Sequence, residues 1–215
     1  MEGPLCPPAE PDFRLIETFG YLPGAGFVRL DRHLQRMALS AQTLGIAFDR
    51  QAAEALVHAA HADAAQRCRL TLDARGAFDL TLAPLAATQP SWRFGIAQER
   101  LDSSDRWLRH KTTRRALYDR VRRELPPGID EMIFANERGE VCEGTITNIF
   151  VTTSDGSHVT PPLACGLLPG VLRQSLLEQG AYCEDVLTLQ DLGRAQSVAL
   201  GNSLRGLIPG RLAEG

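Results

Sequence analysis

Residues 67 to 85, RCRLTLDARGAFDLTLAPL, alternate apolar and polar on both sides of an Ala-Arg-Gly turn, and residues 131 to 153, EMIFANERGEVCEGTITNIFVTT, repeat the pattern over a longer span. A period of two puts alternate side chains on one buried face, so each stretch predicts an antiparallel hairpin, the second turning near Asn-Glu-Arg-Gly. Residues 13 to 21 predict a further strand, followed by turn chemistry in Leu-Pro-Gly-Ala-Gly. Between the strands the period changes. Asp31 predicts an N-cap, Leu34, Met37, Ala41 and Leu44 share one helical face, and Gly45 predicts a stop.

Further helices are expected over residues 50 to 66, 112 to 125 and 170 to 179, with a short one near 190 to 195. Short strands are expected at 93 to 99, 186 to 189 and 197 to 203, and a turn closes the chain. Residues 86 to 92, AATQPSW, read as a linker. Strands and helices on both sides of it predict an α+β protein of two lobes, a small one over residues 1 to 87 and a larger one over 88 to 215.

At 215 residues and 44% hydrophobic, such a chain can bury a substantial core. A formal net charge of -3, with arginines interspersed among carboxylates, argues against a nucleic-acid or acidic-membrane surface. Five cysteines, widely spaced and without a C-x-x-C pair, predict neither a disulfide framework nor a zinc knuckle and suit a reducing cytoplasm. No leader and no long apolar span is read, so a cytoplasmic protein without membrane association is expected. His58 and His61 are spaced to share a helix face, but without a third ligand nearby a solvated face is favoured and no metal is expected. Walker, G-x-G-x-x-G and G-x-S-x-G patterns are absent.

One residue type is used sparingly. Of the 23 Lys and Arg residues, only Lys111 is lysine. A guanidinium stays protonated, whereas an amine can be tuned and can act as a nucleophile. Codon bias would explain an arginine-rich chain as well, so Lys111 reads either as a reactive amine or as an ordinary surface cation. Four other segments could join it. His33, Arg36 and Ser40 lie along one edge of the helix beginning near Asp31, and Glu143 sits beside a glycine inside a strand pattern. Pro169 and Gly170 open a helix, and Asn202 to Arg205 form a turn after a strand. Amides at turns and helix starts suit a phosphate group.

The segments ETFG, RLDRHLQRM, HKTTRR followed by YD, EVCEGTITNIFV, CGLLPGVLR and GNSLRGLIP occur in the order found in class IV aminotransferases, which the chain resembles from about residue 13 onward. The resemblance implies a fold-type-IV architecture like that of D-amino-acid aminotransferase, pyridoxal 5'-phosphate (PLP) as cofactor and a homodimer. It implies that Lys111 bonds covalently to the cofactor aldehyde and then moves the substrate proton, and that Glu143 pairs with the ring nitrogen. Arg36 matches the phosphate-binding arginine, backbone groups at Ile146 and Thr147 with the Ser203 turn match the rest of the phosphate cup, and Leu168 matches the residue packed on the ring. Arg205 is a candidate for a substrate carboxylate. Tyr118, if the helix starts early enough to share a face with Lys111, could touch the cofactor or simply pack.

Two departures are visible. The small lobe is expected to be shortened, and Phe19 and Gly20 stand where many members carry an arginine. Within the family, HKTTRR and GNSLRGLIP look closest to 4-amino-4-deoxychorismate lyases, which yield 4-aminobenzoate and pyruvate. Transamination of branched-chain or D-amino acids is the second expectation, and a non-catalytic PLP-binding homologue the third.

Overall fold

The computed structural model describes residues 12–60 and 62–213. The chain divides into two compact units, one running to Ala87 and including His110–Arg114, the other formed by Thr88–Arg109 and the chain from Arg115 onward.

In the first unit, β1 (Arg14–Leu22) is flanked by the short β2 (Gly26–Phe27) and by β3 (Gln66–Asp73), and β4 (Phe78–Pro84) completes a four-stranded antiparallel sheet in the order β2-β1-β3-β4. α1 (Leu30–Leu44) and α2 (Arg50–His58) belong to the same unit. The apolar stripe expected on α1, Leu34, Met37, Ala41 and Leu44, is buried, as are Leu15 and Phe19 of β1 and Leu70 and Leu72 of β3. Gly45 ends the helix in a left-handed conformation, as a C-cap without a Cβ can. Asp31 is not the N-cap: Arg29 is, at φ 54, and Asp31 lies in the first turn, where a carboxylate suits the helix dipole and pairs with Arg50. α2 is shorter than expected, and its Asp49 side chain caps it by accepting from the Ala52 amide at 3.1 Å. His58 stacks edge-on against Phe27 at 5.6 Å, and the histidine paired with it in the sequence pattern, His61, lies outside the described residues.

The second unit holds β5 (Trp92–Leu101), a 3-10 turn at Arg106–Arg109, α3 (Ala116–Arg123), β6 (Glu131–Asn136), β7 (Val141–Gly144), β8 (Asn148–Thr152), β9 (His158–Thr160), a 3-10 turn at Leu163–Cys165, α4 (Val171–Glu178), β10 (Cys183–Glu184), α5 (Leu189–Arg194), β11 (Ser197–Asn202) and β12 (Gly206–Leu212). Its sheet runs β10-β9-β8-β11-β12-β5-β6-β7, and β7 also pairs with β8, so six of the strands close a ring. Phe94, Ile133, Val141, Ile149, Val151, Leu200 and Ile208 form a core of this unit.

Several elements depart from the sequence expectation for definite reasons. The long hairpin is three strands, because the chain turns a second time at residues 145 to 147. The helix expected from residue 112 starts at Ala116. Residues 111 to 113 instead run along β1 as an antiparallel strip, with the Ile16 amide donating to the Lys111 carbonyl at 2.8 Å and the Thr113 amide to the Arg14 carbonyl at 2.9 Å. Tyr118 therefore shares no helical face with Lys111. Residues 186 to 189 make only a single bridge, Glu140 with Thr188, because Thr188 caps α5 in a reciprocal box with Asp191. The closing turn is followed by a strand, β12, parallel to β5.

Candidate active site

In the first unit the informative feature is an acid inside an apolar strand. Glu17, on β1, is 1% exposed and accepts from Arg36 of α1 through Nε at 2.8 Å and Nη2 at 2.6 Å. The Nδ1 atom of His33, one turn earlier on α1, lies 2.6 Å from the same carboxylate. Burial opposes the charge on Glu17, but the guanidinium and the imidazole outweigh it and hold the pKa at about 2. Burial pushes His33 below its ordinary value, and the charges of Arg36 and Lys111 add to that, while Glu17 opposes it. We read His33 as a neutral ring donating through Nδ1, with Arg36 as the counter-ion of Glu17. The Lys111 carbonyl accepts from Ile16, next to Glu17 in β1, and His110 lies 3.0 Å from the Ser40 hydroxyl on the same helix edge as Arg36. Lys111, Arg36, His33 and Ser40 are thus gathered in one unit, organised by a carboxylate that the sequence reading passed over.

The second unit holds Glu143 at the end of β7, 6% exposed. Its Oε1 accepts from the Tyr118 hydroxyl at 2.9 Å, and its Oε2 from the Leu168 amide at 3.1 Å and the Asn148 amide group at 3.4 Å. Burial, with the nearby Glu143 charge, raises the Tyr118 pKa far above its usual value, so the phenol remains a donor. Asn148 also donates to the Leu168 carbonyl at 3.1 Å. Its Oδ1 sits only 1.8 Å from where a Cβ on Gly170 would lie, so residue 170 must be glycine for the Leu168–Gly170 segment to pack here. Leu168 therefore reaches the carboxylate through its backbone.

The turn joining β7 to β8 is built on another acid. Glu131, fully buried, accepts from the amides of Thr145 at 2.9 Å and Ile146 at 3.2 Å, from the Thr147 hydroxyl at 3.1 Å and from the Thr145 hydroxyl. Arg122 adds a contact at 3.4 Å. A Cβ on Gly144 would come within 2.5 Å of Thr147 Oγ1 and 2.8 Å of Glu131 Cδ, which explains the glycine in Cys-Glu-Gly-Thr. The Ile146 amide, expected to be available for a ligand, donates to Glu131, and the Ile146 carbonyl accepts from Asn202 at 3.1 Å. Asn202 in turn accepts from the amides of Leu204 and Arg205 at 3.1 and 3.0 Å, so the turn bearing the buried Ser203 is tied to the 145–147 turn. The Arg205 guanidinium lies over the Trp92 ring, 5.4 Å from its centroid.

Glu17, Glu131 and Asn148 were missed as organising residues. The signal for Glu17 was an acid among Leu15, Ile16 and Phe19 in a strand pattern, where an unpaired charge would be costly. Glu131 opens a strand pattern and reads as its polar edge, so its role depended on a turn that the hairpin reading did not contain. Among the described residues no three His, Cys, Asp or Glu side chains form a metal-binding group, and no helix is long and apolar enough to cross a membrane.

Residues 14–213 match the sequence model of the family described as Amino-transferase class IV. A provisionally named aminodeoxychorismate lyase from Schizosaccharomyces pombe is 29% identical over 194 residues, covering 85% of this chain and 83% of its own. A solved Mesorhizobium loti structure, provisionally named an amino-acid aminotransferase, is 47% identical, with a TM-score of 0.89 over 94% of this chain and all of its own. A hypothetical aminotransferase from Mycobacterium tuberculosis, solved in a PLP-bound form, is 20% identical, with a TM-score of 0.77 over 93% of this chain and 81% of its own.

Proposed function

Because the chain belongs to the class IV aminotransferases, enzymes that work through pyridoxal 5'-phosphate, we propose that it is a 4-amino-4-deoxychorismate lyase-like enzyme releasing 4-aminobenzoate and pyruvate. The observation that carries the cofactor assignment is the buried Glu143 carboxylate with its Tyr118, Leu168 and Asn148 donors. A buried acid, one amine and a guanidinium of fixed orientation are the chemistry that the group needs, so the residues fit it. When bound, PLP supplies an electron sink for bonds at the substrate's amino-bearing carbon.

The chain's own residues supply the rest. Lys111 would hold the cofactor through Nζ, and the same amine would accept and return a substrate proton. Glu143 keeps a proton on the ring nitrogen. Arg36, its plane set by two bonds to Glu17, binds the phosphate with Ser203 and the backbone at Ile146 and Thr147. At Ile146 the amide already serves Glu131, so this turn contributes mainly by rigidity and through Thr147. Leu168 would pack against the cofactor ring, and Arg205 would receive a substrate carboxylate. The overall reaction converts one substrate into two products whose atoms sum to it, so no co-reactant is required. We further propose a homodimer acting in the cytoplasm.

The lyase reading is supported by the Schizosaccharomyces pombe relative, of which the chain covers most of the length. Transamination of a branched-chain or D-amino acid is the second reading, favoured by the name of the Mesorhizobium loti structure. The test is an absorbance spectrum of protein incubated with PLP and desalted, before and after borohydride and with Lys111→Ala, followed by product analysis. A visible band that borohydride bleaches and the variant lacks, with 4-aminobenzoate and pyruvate formed in equal amounts, is expected. Keto acid from an amino acid without 4-aminobenzoate would replace the lyase by the transaminase, and no band in the intact protein would point to a non-catalytic homologue.

A further inference from the structure

Arg109 ends the 3-10 turn at Arg106–Arg109, two positions before Lys111 in the chain. The turn is pressed onto the segment leading to Leu168: a Cβ on Gly166 would lie 2.8 Å from the Ser103 Cα and 3.1 Å from the Leu108 Cδ1. Nη1 of Arg109 is buried and has no hydrogen-bond partner among the described residues. A guanidinium cannot escape such a position by losing its proton. The acids on its own stretch are committed to the local turn, Asp102 accepting from the amide and hydroxyl of Ser104 and Asp105 from the Trp107 amide.

Burial opposes the charged form of Arg109, Glu143 favours it, and the Arg173 guanidinium opposes it. Arg173 is itself 1% exposed. It bonds the Pro161 carbonyl at 2.7 Å and pairs with Glu184, yet its Nε is a second buried donor without a partner among the described residues. If Glu143 serves the cofactor's ring nitrogen, Arg109 is a half-buried cation whose buried Nη1 has no carboxylate of its own among the described residues.

We propose that Arg109 is a specificity-determining residue that receives the substrate carboxylate retained in 4-aminobenzoate, a second one beside that given to Arg205, so that the site takes carboxylated amines in preference to neutral ones. The assignment rests on the PLP reading for where the substrate lies, but binding of an anion at Arg109 can be measured separately. A planar guanidinium offers a carboxylate two parallel donors, which Lys cannot reproduce.

The test compares 4-aminobenzoate with its neutral amide, 4-aminobenzamide, by calorimetric titration of wild type, Arg109→Gln and Arg109→Lys, each with and without PLP. Wild type is expected to favour the acid by roughly tenfold or more, the scale of one charge-assisted contact. Arg109→Gln brings that preference close to one by weakening the acid alone, and Arg109→Lys restores part of it. The cofactor's visible band and the melting temperature stay near wild type in both variants. An unchanged preference in Arg109→Gln, equal weakening of acid and amide, loss of the cofactor band in both variants, or failure of wild type to bind the acid would each overturn the proposal. A wild type without a visible band that still prefers the acid through Arg109 would sink the PLP reading and leave the carboxylate site standing.

Discussion

Glu131 and Glu143 are buried acids of the same unit, twelve positions apart in sequence, and their partners separate two uses of a buried charge. Glu131 is consumed by one turn: the amides of Thr145, Ile146 and Met132 and the hydroxyls of Thr145 and Thr147 surround it. Glu143 draws its donors from three separate places, α3, β8 and the segment before α4. A carboxylate that satisfies backbone donors stabilises the turn it sits in. One held by donors from separate elements, two side chains and the Leu168 amide, is instead oriented by the fold around it. Glu17 in the first unit is a third case, since its charge is matched by a guanidinium and it serves to aim Arg36.

The largest expected effect breaks this comparison most directly. Glu131→Ala takes their acceptor from three amides and two hydroxyls and should destabilise the protein by about 3–5 kcal/mol in urea unfolding, whereas Glu143→Gln should cost far less stability and abolish turnover. Equal losses of stability would mean that both acids are structural. Next comes the pH dependence of Glu17. Its folded pKa of about 2 lies below the ordinary glutamate value of 4.5, so the unfolded chain takes up the proton first. The stabilisation is complete above pH 4.5 and is lost as pH falls through about 2. It amounts to about 3 kcal/mol between those limits. Comparing unfolding at pH 5 and pH 3 for wild type and Glu17→Gln tests this, and an identical acid limb in the variant would refute it. The smallest effect is that of Tyr118→Phe, which removes one donor from Glu143 and should cost about 1.5–3 kcal/mol in stability. If Tyr118 orients Glu143, the variant should also shift the pH at which the cofactor band changes; an unmoved band would reduce Tyr118 to packing against Phe134, 5.0 Å between ring centroids.

Much of the fold was legible where the pattern is local. The face of α1, its stop at Gly45 and the hairpin around Gly76 follow from period and turn chemistry over a few residues. Expectations failed where a distant strand intervened. Residues 111 to 113 have the composition of a helix start, but hydrogen bonds to Arg14 and Ile16 draw them along β1, and the Glu131 carboxylate folds the 145–147 turn into what reads as continuous strand. The candidate residues Arg36, Lys111 and Glu143 stood out as residue types in motifs, whereas Arg109 looked like one more arginine until its Nη1 proved buried without a partner among the described residues.

Sequence by itself determined the chemical inventory: a single amine among guanidiniums, an acid beside a glycine, helix stops and strand alternation, all properties of residue type and near spacing. Only the tertiary structure decided which charge answers which. Arg36 meets Glu17 across 19 positions, and Tyr118 meets Glu143 across 25. Such pairings depend on strand register and on which elements share a core, and a buried charge takes its character from the donors that the whole fold brings to it.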